Sequence, residues 1–82
     1  MMARLLFFGK FSDIAENGEV TLPSHVTDTE ALLLWLGQAH DGFAALWVKP
    51  GTMMVLNHVT VSERAPIKPS DEIAFLSALS GG

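Results

Sequence analysis

Eighty-two residues, 49% of them apolar and 17% charged, suit one globular domain and exclude a disordered chain. A chain of this length buries only roughly 60 to 65% of its unfolded surface, so it has room for a single core. With no cysteine there is no disulfide, thiolate metal site or iron–sulfur cluster, and a net charge of −4 with only five Lys and Arg, scattered singly, offers no basic stripe to nucleic acid.

Ala3 to Phe8 is a short apolar run closed by Gly9, as expected of a central strand buried on both faces. Its Leu5-Leu6-Phe7-Phe8 stretch is far too short to cross a bilayer, and no small-residue cleavage site follows a long apolar region, so the expected location is cytoplasmic. Lys10 to Gly18 mixes polar and apolar residues, with room for one helical turn before the Asn17-Gly18 reversal. Glu19-Val20-Thr21-Leu22 then alternates until Pro23, which suits a second strand running antiparallel to the first.

The clearest local signal is Val26-Thr27-Asp28-Thr29-Glu30-Ala31. Thr27 and Glu30 stand in the capping-box relation, with Val26 and Ala31 at the hydrophobic staple positions around them. The spacing predicts a helix from near Asp28 to about Ala39, stopped by His40-Asp41-Gly42. Leu32, Trp35, Leu36 and Ala39 form one apolar stripe. Leu33 and Leu34 lie off it, and are expected to be surface leucines covered by the following loop; the sharper alternative is an exposed patch used in self-association.

Phe43 to Gly51 carries Trp47 and ends in a Pro50-Gly51 turn, so it reads as a loop or distorted helix. Thr52 to Leu56 and Val59 to Val61 are β-rich and separated by Asn57-His58, which predicts a hairpin; Met53 and Met54 read as core filling. Glu63 to Pro69 is an irregular connection, Ser70-Asp71 turns the chain, and Glu72 to Leu76 is the final strand. If that strand lies beside the first, the two are parallel, because a long crossover containing the helix separates them. The expected fold is therefore α+β: a β-grasp, ubiquitin-like roll in which one main helix covers a mixed four- to five-stranded sheet, with a domain over residues 1–76 and a tail over 77–82.

The tail, Ser77-Ala78-Leu79-Ser80-Gly81-Gly82, ends on two glycines. At an average glycine frequency of about 7% this is roughly a one-in-two-hundred coincidence. Glycines give a backbone of minimal width that can thread a narrow pocket and present the α-carboxylate as a reagent. A carboxylate is a poor electrophile, so it needs activation, for example as an acyl-adenylate, before sulfur or an amine can attack. No other chemistry is legible: His25, His40 and His58 lack metal-ligand spacing, and there is no nucleophile elbow or phosphate-cradling glycine loop.

Leu5-Leu6-Phe7-Phe8-Gly9, Val55-Leu56-Asn57 followed by Val61, and Pro66-Ile67 leading to Asp71-Glu72-Ile73-Ala74-Phe75 and Gly81-Gly82 together resemble the small, sulfur-carrying subunit of molybdopterin synthase over essentially the whole chain. The resemblance implies a non-catalytic carrier that binds no cofactor of its own. Gly82 would be adenylated by an ATP-dependent, ubiquitin-activating-like adenylyltransferase and converted to a thiocarboxylate. Gly81 and Ser80 would thread with it into the large synthase subunit, where the sulfur passes to cyclic pyranopterin monophosphate. Phe8, Leu76 and Leu79, apolar residues beside the threading tail, are the candidate partner contacts in this hetero-oligomer. The chain departs from the family's habits at Ser77-Ala78, where two prolines are common, at Ser70, where glycine is usual, and at Ser12, where a basic residue is usual and Lys10 is nearby. Two alternatives share the features: a thiamine-pathway sulfur carrier, though these usually lack an extended region such as Lys10 to Gly18, and a ubiquitin-like protein modifier or interaction module.

Overall fold

The computed structural model describes residues 1–77. Five strands form one mixed sheet, β1 (Met2–Phe7), β2 (Gly18–Thr21), β3 (Thr52–Leu56), β4 (Val59–Val61) and β5 (Glu72–Ser77), in the order β2-β1-β5-β3-β4. Two α-helices, α1 (Thr29–Ala39) and α2 (Phe43–Trp47), and a 3-10 turn at Gly9–Asp13 complete it. β5 runs parallel to β1, with Leu5 opposite Ile73 and Phe7 opposite Phe75, and antiparallel to β3, with Met54 opposite Phe75. This is the β-grasp arrangement: the last of the described strands occupies the middle of the sheet.

The core lies between the sheet and the helices. Ala3, Leu5 and Phe7 of β1, Ile73 and Phe75 of β5 and Met54 of β3 are buried with Leu32 and Leu36 of α1 and Phe43 and Leu46 of α2. Alternate residues in a strand face opposite sides, so the same strands turn Leu6, Val55 and Leu76 to the other face, where they are only half-buried. β1 is thus interior to the sheet, flanked by β2 and β5, but not buried on both faces as its continuous apolar run suggested. The uncovered side of the sheet gives it an alternating pattern instead.

The start of α1 corrects the capping-box reading. Asp28, not Thr27, is the N-cap: its backbone is extended and its Oδ1 accepts from the Ala31 N–H at 2.8 Å. Tertiary pairing decides the shift, because the Thr27 carbonyl is already engaged by the Ile67 N–H at 2.9 Å and Thr29 N–H donates to the Ala65 carbonyl at 2.9 Å. The staple moves with the cap, since Val26 lies one position too early and is buried in the core instead. Thr29, the buried polar residue of the helix, is satisfied by accepting from the Ala65 N–H at 3.0 Å.

The buried stripe of α1 is Thr29, Leu32 and Leu36; Trp35 is half-buried and Ala39 exposed. Leu33 packs on the core edge, where with Trp47, Met54 and Val61 it lines a cleft of about 240 Å³, whereas Leu34 is 67% exposed and covered by nothing among the described residues. Met54 is core, but Met53 points to the open face and is 38% exposed. The β3–β4 hairpin turns through Asn57 (φ 48) and His58 (φ 70), both left-handed as a two-residue type I′ turn requires. No helix among the described residues is long and apolar enough to cross a membrane.

Candidate functional site

Whatever the chain's terminus does is set by where β5 delivers it, and β5 is held on every side. Phe75, fully buried, stacks on Phe7 (centroids 5.4 Å apart, planes 13° from parallel) and takes edge contacts from Phe43 at 5.4 Å and Trp47 at 6.0 Å. Phe11, from the 3-10 turn, closes the cluster at 6.2 Å from Phe75. Such aromatic pairs add about 0.5 to 1.5 kcal/mol each beyond the area they bury. The tail is therefore rooted two residues beyond the most crowded ring in the molecule.

The other end of β5 is fixed by hydrogen bonds. Asn57 accepts from Glu72 N–H through its Oδ1 at 2.9 Å and donates from Nδ2 to the Asp71 carboxylate at 3.0 Å. The second oxygen of Asp71 accepts from Lys68 N–H at 2.8 Å, and Ser70, left-handed at φ 72, donates its N–H to the Met2 carbonyl at 2.8 Å. One side chain in the hairpin turn thus ties the turn before β5 to the start of β5. The exposed pairs Arg4–Glu72 and His58–Glu72, each at 3.9 Å, contribute little beside these bonds.

β5 continues through Ser77, one residue past the expected end at Leu76. At that end of the sheet the candidate contacts come together on the uncovered face. Phe8, just after β1, is 43% exposed, and its N–H donates to the Phe75 carbonyl at 2.9 Å. Leu76 is half-buried and pairs with the exposed Met53. Phe8 is therefore not a core residue, and Met53, read from the sequence as core, joins the same apolar face. The signal for Met53 was available in strand alternation, because Met54 beside it has to take the opposite side. Leu79, Ser80, Gly81 and Gly82 lie outside the described residues.

No group of three or more His, Cys, Asp or Glu able to hold a metal ion occurs among the described residues. His40 sits edge-on to Phe7 at 6.3 Å and His58 beside Glu72, so two of the three histidines lie in separate settings.

A search of curated proteins finds no match. The ThiS family model matches residues 5–82, which leaves out only the first four residues. The match includes the second half of β1, all of β5 and the diglycine, features that the fold and the sequence connect: the chain belongs to the ThiS family of ubiquitin-like sulfur carriers, small proteins that work with partner enzymes and are not themselves catalysts.

Proposed function

We propose that this carrier serves molybdenum cofactor biosynthesis as the small subunit of molybdopterin synthase. The observation that favours this pathway over the thiamine one is the β1–β2 connection. Gly9 to Asn17 is an extended segment with its own 3-10 turn, and it sends Phe11 fully buried into the ring cluster around Phe75. Asn17 closes it by accepting from the Phe7 N–H at 2.6 Å. Thiamine-pathway carriers usually lack such a region.

In the proposed cycle the Gly82 carboxylate attacks the α-phosphate of ATP on the adenylyltransferase, and pyrophosphate leaves. Hydrosulfide from the sulfur source then attacks the acyl carbon, the bond to the AMP phosphate oxygen breaks, and AMP and a proton leave the thiocarboxylate. The loaded tail, with Ser80 and Gly81 threading, enters the large subunit, where the sulfur passes to cyclic pyranopterin monophosphate and the carboxylate is regenerated by water. The folded body supplies placement alone, and a main-chain carboxylate carries sulfur without any cysteine.

Reconstitution tests this reading. Purified chain is incubated with a molybdopterin-pathway adenylyltransferase, ATP and a sulfur source, then with the large subunit and cyclic pyranopterin monophosphate. The expected result is the mass gain of an oxygen-to-sulfur exchange at Gly82, lost again as molybdopterin forms. Loading and discharge only with the thiamine-pathway enzymes would assign the chain to the other pathway. An isopeptide with a lysine would make it a modifier.

A further inference from the structure

β2 is an edge strand: it pairs with β1 on one side and, among the described residues, with no strand on the other. Met1 and Leu22 exchange both of their main-chain hydrogen bonds, at 3.1 and 2.7 Å. In an antiparallel ladder such bonded pairs alternate with unbonded ones, so Ala3 with Val20 and Leu5 with Gly18 are the next bonded pairs in the register. The N–H and carbonyl groups of Glu19 and Thr21, both exposed residues, therefore point away from β1.

Beside this edge lies open space. A groove of about 430 Å³ runs between β2 and α1, lined by buried Leu5 and Phe7, by half-buried Ile14, Val20 and Trp35, and by exposed Glu16. Successive side chains of β2 take opposite sides, so Val20 faces this groove while Glu19 and Thr21 face the uncovered side of the sheet. The opposite edge, β4, is only three residues long, and the cleft beside it is smaller at about 240 Å³.

An extended peptide fits both features, because its main chain pairs with the open edge while every second side chain enters the groove. The groove is apolar, so that row of side chains is apolar. The other row lies beside Glu19, whose cross-strand neighbour Arg4 pairs with Glu72 at 3.9 Å instead. No Lys or Arg stands in β2 or lines the groove, so basic residues complement Glu19 and Glu16. A second copy of this chain does not: two β2 strands paired edge to edge would set their Glu19 carboxylates on one face, within two residues of each other.

We propose that the β2 edge and its groove form a docking surface for an extended partner segment that alternates apolar and basic residues and adds to the sheet beside β2. The surface uses none of the tail's chemistry, so it stands or falls apart from the carrier reading.

The test ligand is an acetylated, amidated peptide of about six residues alternating valine and lysine, titrated into the full chain and followed by amide chemical shifts. The Glu19 and Thr21 amides and the Trp35 indole N–H are expected to shift, and exchange of the two amides to slow about tenfold at saturation. The same peptide with glutamate in place of lysine is expected to bind about fivefold more weakly. Thr21→Pro removes one outward donor and leaves every β1–β2 bond in place, so it is expected to weaken binding about tenfold at a nearly unchanged unfolding temperature. Should that variant not fold, Glu19→Lys decides, because it is expected to make the glutamate peptide the better ligand. Shifts confined to other surfaces, equal binding of the two peptides, or a folded Thr21→Pro chain with wild-type affinity overturns the proposal. So does a Glu19→Lys chain that keeps the wild-type preference, or self-association of the free chain through β2.

Discussion

Phe75 lies flat against Phe7, with ring centroids 5.4 Å apart and planes within 13° of parallel, across the parallel β1–β5 pair. Two strands distant in sequence are locked together at the point from which the tail departs. Phe75→Ala should cost about 3 to 5 kcal/mol, the range for a buried phenylalanine truncated in a core. Against a total of about 4 to 12 kcal/mol for a domain of this size, that is enough to unfold much of the population. Urea unfolding measures it, and a loss below about 1 kcal/mol would show that the ring cluster does not hold the sheet together.

At the start of α1 the cap assignment separates two neighbouring residues. Asp28→Ala should cost about 1 kcal/mol, because it removes the oxygen bonded to the Ala31 N–H. Thr27→Ala should stay within about 0.5 kcal/mol, since Thr27 takes part through its main-chain carbonyl. Thermal or urea unfolding of the pair distinguishes the two, and the opposite ranking would restore the capping box.

Ser70 is held left-handed at φ 72 in the turn before β5. Relief of its Cβ strain exceeds the entropy that glycine adds to the unfolded chain, so Ser70→Gly should stabilise the domain by about 0.5 to 1 kcal/mol. A rise in the urea midpoint at unchanged slope is the expected observation; a fall would mean that the Ser70 side chain contributes more than its backbone conformation costs.

Phe8→Asp should leave the unfolding temperature nearly unchanged, because the ring is already 43% exposed. If the large synthase subunit is the partner, as proposed, binding to it should weaken by about 30-fold or more, as for an interface anchor worth about 2 kcal/mol. Leu79→Asp should weaken binding in the same way with the fold intact. Titration calorimetry on the two variants gives the comparison, and wild-type affinity in both would remove these residues from the interface.

Much of the fold was legible in the chain because its signals are local. The Asn57-His58 reversal between two β-rich runs specified the hairpin, the apolar spacing from Leu32 to Leu36 marked α1, and the parallel β1–β5 pair followed from the length of the crossover between them. The errors share a different cause. Thr27 lost the cap to Asp28 because its carbonyl was taken by Ile67, some forty residues away in sequence. Met53 looked like core, and it faces the open side because side-chain direction in a strand depends on register, which neighbouring strands set.

By itself, the order of residues determined most of the elements and the family signature: a β-rich domain followed by a diglycine, in a sequence without cysteine. Only the tertiary structure decided that the tail's root is the central strand, braced by Phe7, Phe43 and Trp47. Composition and periodicity act over a few residues, whereas the neighbours of β5 come from segments up to seventy residues away and meet only when the chain folds.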